Sequence, residues 1–342
     1  MDGSAHLAAG KLPGALLQRL IEDHVRQDAS VIIGPEVGAD AAALRIDSQA
    51  IVVKSDPITF PTPDIARYLV LVNANDVVCM GGRPRWLLVT ALLPAGETTA
   101  QAVEAMFRQL AQVCAELEIV LVGGHTEITE SVRSPVLVGM LIGEADEASL
   151  FDLRRGRPGD ALLLCNSVAI EGTAILASAL PPARLAGVDP ALLERARTLT
   201  DDPGISILPA AQALRDSGAE IRGFHDPTEG GIATAIYEVA RVTGCDIELD
   251  GPIPIRSDTA AICSVLGLDP LGLIASGALL AVLATDALDT ATQRLRQSRI
   301  EFTHLGRLTD RHGDEPAVTR ADGRPLQSFP TDEIARYFST LA

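Results

Sequence analysis

The chain has 342 residues, 47% of them hydrophobic but only 3% aromatic, which supports an aliphatic core large enough for two domains and excludes a disordered chain. With 45 acidic against 28 basic residues its formal charge is −17, a field that repels phosphate backbones and anionic membranes, so neither nucleic acid nor membrane is an expected partner. A nucleotide remains open to such a protein where Mg²⁺ bridges carboxylates to phosphates. Cys79, Cys114, Cys165, Cys245 and Cys263 are scattered without a C-x-x-C pair, and most lie in apolar runs as small core residues of a reducing compartment. Residues 1–10 lack a basic segment followed by an apolar one, and the longest apolar run, 271–284, falls short of the roughly 20 residues of a membrane span. A cytoplasmic protein is expected.

Residues 13–27 carry Leu16, Leu17, Leu20, Ile21 and Val25 at helical spacing. Strands are predicted at 31–33, 42–46 and 50–55, the last ending in Lys54-Ser55-Asp56-Pro57. Asp64 is placed to cap a helix that stops at Gly81-Gly82. That helix is apolar around most of its axis, with Ile65, Tyr68, Leu69, Val70, Leu71, Val72, Val77 and Val78, yet it holds Asn73, Asn75 and Asp76 where core residues belong. Burying a neutral polar group without a partner costs roughly 2–7 kcal/mol, and a charge more. Asp76 therefore needs a metal, a cation or a dense set of hydrogen bonds.

A strand at 86–93, a helix over 99–117 and a strand at 119–122 follow, the last running into Gly123-Gly124-His125-Thr126-Glu127 as a strand-end loop. One more strand spans 135–143. The stretch 152–159, rich in Arg, Gly and Pro, reads as a linker between domains 1–154 and 155–342. In the second half, strands are predicted at 161–165, 246–249, 279–285 and 301–308. Helices are predicted around 171–180, 190–199, 206–217, 232–243, 286–298 and 331–340, with His225-Asp226-Pro227-Thr228-Glu229-Gly230-Gly231 opening the fourth. The mixture implies an α/β (α+β) fold in two domains.

The polar turns of the first half are Asp40, Asp56, Asn75-Asp76, and His125 with Glu127. Oxygen ligands from separate loops suit Mg²⁺. Gly123-Gly124 either lets backbone N–H groups approach a phosphate or simply turns the chain. The chain contains no G-x-x-x-x-G-K-[ST] and no G-x-G-x-x-G, which excludes a P-loop and leaves a Rossmann site without support. Lys54 is placed to pair with a phosphate or with the neighbouring acid; Lys11 is either a functional cation or a solvated one.

The ordered set Gly38-Ala39-Asp40-Ala41-Ala42, Lys54-Ser55-Asp56, Asn75-Asp76 with Met80-Gly81-Gly82-Arg83-Pro84, Gly123-Gly124-His125-Thr126-Glu127 and Asp226-Pro227-Thr228-Glu229-Gly230-Gly231 resembles the aminoimidazole-ribonucleotide synthetase superfamily. The last motif is most similar to the hydrogenase-maturation carbamoyl-dehydratase branch. The resemblance implies a mixed-sheet first domain that dimerises, and ATP bound with a divalent metal where domains and subunits meet. It implies Asp40, Asp56 and Asp76 as metal ligands, Gly123 and Gly124 along the phosphates, and Asp226 with Thr228 contributing from the second domain; Lys54 and Asn75 are further candidates for holding the cofactor. Lys11 falls in the segment that covers the nucleotide in several members. Three features depart from the pattern: His125 stands where relatives have a carboxylate, the chain ends in Phe338-Ser339-Thr340-Leu341-Ala342 without the acceptor cysteine, and it has no N-terminal reactive cysteine.

The expected function is therefore Mg²⁺-dependent activation of an oxygen of a small substrate by phosphoryl transfer from ATP. The alternatives are a small-molecule kinase resembling thiamine-monophosphate kinase and a nucleotide-binding partner protein of a maturation complex. A homodimer is expected because strands 50–55 and 86–93 are apolar on both faces. His125 has three possible fates: phosphate donor, ligand of a softer metal, or bystander. Because Glu127 would point the same way in an extended segment, the expectation is that Glu127 contacts the metal and His125 donates to a phosphate.

Overall fold

The computed structural model describes residues 14–24, 28–34, 40–47, 49–59, 62 and 64–340; Lys11 and Gly38-Ala39 lie outside them. A first helix, α1 (Gly14–His24), precedes a six-stranded sheet. Its strands are β1 (Val31–Ile33), β2 (Ala42–Ile46), β3 (Gln49–Ile58), β4 (Arg83–Pro94), β5 (Val120–Thr129) and β6 (Val136–Ala145), in the order β1-β2-β3-β6-β4-β5. Helix α2 (Ile65–Cys79) lies between β3 and β4, and α3 (Ala100–Glu116) is the crossover that the parallel pair β4–β5 requires.

The second half builds another six-stranded sheet from β7 (Ala161–Cys165), β8 (Ile221–His225), β9 (Asp246–Leu249), β10 (Leu279–Leu283), β11 (Phe302–Thr309) and β12 (Val318–Thr319), ordered β12-β9-β11-β7-β10-β8. Its helices are α4 (Ile170–Ala179), α5 (Pro190–Arg197), α6 (Leu208–Arg215), α7 (Gly231–Thr243), α8 (Ser257–Leu266), α9 (Leu288–Gln297) and α10 (Glu333–Ser339). Strands β7 and β10 are apolar at every position because both faces are covered. Leu162, Leu164, Leu280 and Val282 pack with Ile232, Ile236 and Val239 of α7. Leu163, Cys165, Leu279, Ala281 and Leu283 pack with Ala210 and Leu214 of α6 and Ala291 and Leu295 of α9.

Helix α2 is the shared element. Leu69, Val70, Ala74 and Val77 belong to the core that covers one face of the first sheet, whereas Val78 and Cys79 join the core of the second. This two-sided burial is why the helix is apolar nearly all round.

No helix among the described residues covers the opposite face of the first sheet. In register there are Val53, Ile142 and Trp86, then Ser55, Met140 and Leu88, then Pro57, Val138 and Thr90. Met140 at its middle is 44% exposed, and the adjoining edge strand β5 is exposed along nearly its whole length.

Three elements carried no clear sequence signal: β8, α8 and β12. Helix α8 buries Asp258 and Thr259 beside Ile262 and Cys263 while Val265 is exposed, which blurs its amphipathic stripe, and β12 is two residues long. Two predicted strands are longer than their apolar runs, because the backbone ladder continues through the polar residues of β3 and the glycines of β5.

Candidate functional site

The three polar residues of α2 have three different jobs. Asn73 ties the helix to β3: its Oδ1 accepts from the Asp56 backbone N–H at 3.0 Å and its Nδ2 donates to Leu69 O at 2.9 Å. Asn75 faces the second domain, where its Nδ2 donates to Ile205 O at 2.9 Å and its Oδ1 accepts from Ile207 N at 3.1 Å. Both ends of its amide thus serve as a clasp between the two halves, whereas the sequence makes Asn75 a candidate for holding the cofactor. Asp76 is the group left over.

Asp76 is 5% exposed, with Lys54 Nζ 3.2 Å from its Oδ1, and its Oδ2 is buried without a hydrogen-bond partner. Lys54 and Asp56 reach it because alternate residues of β3 point to the α2 side of the sheet, and Lys54 Nζ also lies 3.4 Å from Asp56. From the second half, Asp226 follows the end of β8. Ligand atoms of Asp40, His225 and Asp226 all lie within 4.8 Å of one another. Residues from both halves, up to 185 positions apart in sequence, therefore converge at one point.

Too much negative charge is gathered here for its surroundings. Burial, then Asp226, push the Asp76 carboxyl well above its ordinary range, against the pull of Lys54. Burial, with Asp40 next, raises Asp226 to about 7. Burial acts to lower the Lys54 pKa, but Asp76 and Asp56 outweigh it and keep the ammonium charged. Mutually repelling carboxylates, one with an orphaned oxygen, fit a divalent cation bound by hard oxygen ligands.

Residues that the sequence alone did not single out support this cluster. His225 Nδ1 is 2.8 Å from Asp40 Oδ1 and its Nε2 is 2.9 Å from Glu238 Oε2. Burial pulls the imidazole pKa down, but the two carboxylates win and raise it well above the usual value. With both nitrogens engaged, His225 orients Asp40 and has no lone pair left for a metal. Cys79, read from sequence as plain core, donates its thiol to Asp226 at 3.7 Å. His225 directly precedes Asp226, which was its one sequence signal; Glu238 had none.

The edge strand is placed otherwise than expected. Gly123 and Gly124 do not end a strand; they lie inside β5 at a register shift against β4. Gly124 has φ +141, and a Cβ there would come within 1.9 Å of Val89 O, so the close approach of the two strands explains that glycine. His125 pairs with Thr90 and Glu127 with Leu92, which puts both side chains on the uncovered face, opposite to Lys54 and Asp56. They share that face, 3.6 Å apart. Gly124 is three strands from Asp56 in the same row, about 14 Å at the usual strand spacing. One protomer thus does not bring His125 or Glu127 to Asp40, Asp76 and Asp226. Thr228 lies in the loop before α7, where its carbonyl accepts from Gly231 N at 3.1 Å and Ala275 N at 3.2 Å. Gly231 has φ +68, and a Cβ there would meet Leu271 O at 2.4 Å, so this turn packs against the 271–275 segment.

The raised groups give a signed pH dependence. Asp76, Asp226 and His225 all bind protons more readily in the folded than in the unfolded chain. Their contribution to stability is full below the unfolded pKa and is lost as pH rises through the folded one, by about 1.4 kcal/mol per pH unit for each titrating group. In EDTA the melting temperature should fall between about pH 5 and 8, and Mg²⁺ should flatten that slope by replacing protons on the carboxylates. A melting temperature that rises over this range in EDTA would contradict a buried, protonatable cluster.

Two sheets joined through one buried helix, with carboxylates from both halves collected at the junction, define a two-domain α/β protein with an acidic interdomain site. The family model described as AIR synthase related protein, N-terminal domain, matches residues 38–145, and that for the C-terminal domain matches 157–319; the chain belongs to this family. It is similar to a putative hydrogenase expression/formation protein of Methanocaldococcus jannaschii, 26% identical over 295 residues covering 83% of this chain and 84% of the relative. It is also similar to the carbamoyl dehydratase HypE of Cupriavidus necator, 27% identical over 307 residues, 85% and 80% of the two chains.

Solved structures with the same fold include a chain of a HypE–HypF complex (TM-score 0.71, 19% identity, 93% of this chain and 100% of that one). HypE in complex with ATP superposes with TM-score 0.66, 23% identity and coverages of 95% and 97%. ThiL complexed with AMPPCP and TMP does so with TM-score 0.68, 18% identity and coverages of 93% and 94%.

Proposed function

We propose that this protein is an ATP-using enzyme that binds the nucleotide with Mg²⁺ at the junction of its two domains and activates an oxygen of a small substrate by phosphoryl transfer. The observation that carries the reading is the buried carboxylate cluster drawn from both halves, with Asp76 Oδ2 orphaned beside Lys54. Asp40, Asp76 and Asp226 would hold the metal, with Asp56 beside them. Bound there, Mg²⁺ supplies neutralisation of phosphate charge. Lys54, already held by two carboxylates, is positioned to take a phosphate oxygen as well. His225 and Glu238 keep Asp40 oriented. The loop 226–231, ahead of α7, offers a helix N-terminus to anionic oxygens. The ATP complex of HypE and the AMPPCP complex of ThiL support the choice of nucleotide.

The working unit in this reading is a homodimer closed by the uncovered face of the first sheet. That face would place His125 and Glu127, with Gly123 and Gly124, at the subunit junction. There they would face the second copy, whose own site they would help to line. The HypE–HypF complex supports a further protein partner of the maturation type.

Calorimetric titration of ATP with and without Mg²⁺, followed by an assay for ADP, tests this. Binding that needs the metal, with slow ADP release by the protein alone, is the expected result. If ATP fails to bind under both conditions the reading is wrong, and tight binding without any turnover would favour a nucleotide-binding partner protein instead.

A further inference from the structure

Tyr68, Val72 and Asp76 follow one another at i, i+4 and i+8 on one side of α2, about 12 Å from first to last at 1.5 Å per residue. Asp76 marks the carboxylate cluster. At the other end, Tyr68 lies within electrostatic reach of Glu171, a carboxylate that the proposed nucleotide site does not use.

Glu171 is in the first turn of α4 and is 2% exposed. The Ser276 hydroxyl stands beside its carboxylate, and its Oε2 is buried without a hydrogen-bond partner. The charges that act on it, Glu229 and Asp332, are both acidic. Burial first, then these two, raise its pKa to about 7, although the first turn of a helix favours an anion. Asp332 is raised to about 6, again by burial first, while it accepts the Gly230 N–H at 2.8 Å. The turn between β7 and α4 is anchored to the segment that carries Ser276, because Asn166 Nδ2 donates to Gly277 O at 2.8 Å.

A buried carboxylate oxygen with no donor, in a field made only more negative by its neighbours, destabilises the empty protein. A packed core would place an apolar side chain there or supply an arginine. The arrangement makes chemical sense when something else brings the positive charge and the N–H donor.

We propose that Glu171, flanked by Ser276, Glu229 and Asp332, binds a cationic nitrogen group, an amine or amidine, carried by the small substrate. Oε2 accepts the N–H, Ser276 fixes the other carboxylate oxygen, and the surrounding acids favour the cation over a neutral amide. A substrate of this class would span the seam along α2, its nitrogen at Glu171 and its reacting oxygen towards Asp76. The identity of the ligand as phosphoryl acceptor rests on the proposed function; the nitrogen site itself does not.

The probe is acetamidinium, with acetamide as the neutral and acetate as the anionic control, followed by ligand-observed NMR on the full chain. Saturable acetamidinium binding to the wild type is expected, about tenfold weaker in Glu171→Gln and severalfold weaker in Glu229→Gln. Acetamide should bind feebly and acetate not at all. Glu229 is exposed, so its variant keeps the test open if the buried change disturbs folding. Glu171→Gln should also melt at a higher temperature, as expected when an unpartnered charge is removed, and should bind Mg²⁺ and ATP as the wild type does. Acetamidinium binding that is absent from the wild type, or equal in all three proteins, overturns the inference even where ATP binds normally. A lower melting temperature of Glu171→Gln with unchanged acetamidinium binding would make Glu171 a structural residue. Failure of ATP to bind the wild type would count against the proposed function and leave the acetamidinium result standing.

Discussion

Asp76→Asn should weaken Mg²⁺-dependent ATP binding by at least about a hundredfold, near 2.7 kcal/mol, without lowering the melting temperature. The substitution keeps the shape and one acceptor oxygen but removes a charge that burial and Asp226 already oppose. Lys54 loses one partner and keeps Asp56 at 3.4 Å, so the cation is not stranded. Asparagine is a poor replacement for a carboxylate on a hard divalent ion, and so the loss falls on the metal and the nucleotide it carries. Titration calorimetry and differential scanning fluorimetry on the same samples separate binding from stability. A variant that binds ATP normally but melts several degrees lower would show that Asp76 is a structural anchor for Lys54. Asn75→Ala makes a useful contrast: it removes the clasp to Ile205 and Ile207, so stability should drop by about 1–3 kcal/mol, the usual cost of unsatisfied buried groups.

Met140→Glu should convert a dimer into monomers. Met140 lies in the middle of the uncovered face, with Ser55 of β3 on one side and Leu88 of β4 on the other. In an isologous interface the change is made twice, placing two unpaired carboxylates in an apolar contact. In the isolated protomer the same side chain is 44% exposed, so the fold should survive. Light scattering at micromolar concentration should give a dimeric mass for the wild type and a monomeric mass for the variant, with similar melting curves at low concentration. A monomeric wild type would mean that something other than a second copy covers this face, and the role assigned to the dimer would fall with it.

Much of this protein is legible in one dimension. An apolar helix that carries Asn73, Asn75 and Asp76 must find partners for them, because the desolvation cost is a property of the residues themselves. Most helices and strands follow from the spacing of their apolar residues, which is local, although the Asp64 side chain, expected to cap α2, makes no capping hydrogen bond. The order of the acidic motifs was visible too, and the chain brings Asp40, Asp76 and Asp226 to one junction. Sequence could not say which of the three α2 residues would bridge to β3, which would clasp the second domain and which would be left to Lys54, since each partner lies far along the chain.

The glycine pair shows the limit most clearly. Gly123-Gly124 reads as a break when its neighbours are judged by side-chain propensity, but the ladder to β4 is made by the backbone, and glycine is what lets that ladder pass a bulge. Once β5 continues, the period of two sends His125 and Glu127 to the face away from α2. The pairing of His225 with Asp40 and Glu238, and the orphaned carboxylate of Glu171, are likewise decided only when distant segments meet. Sequence by itself determined which groups are costly to bury and where most of the helices and strands lie, because those energies depend on near neighbours. Tertiary structure alone decided faces, edges and partners, because these depend on which strands pair and on what lies across the gap.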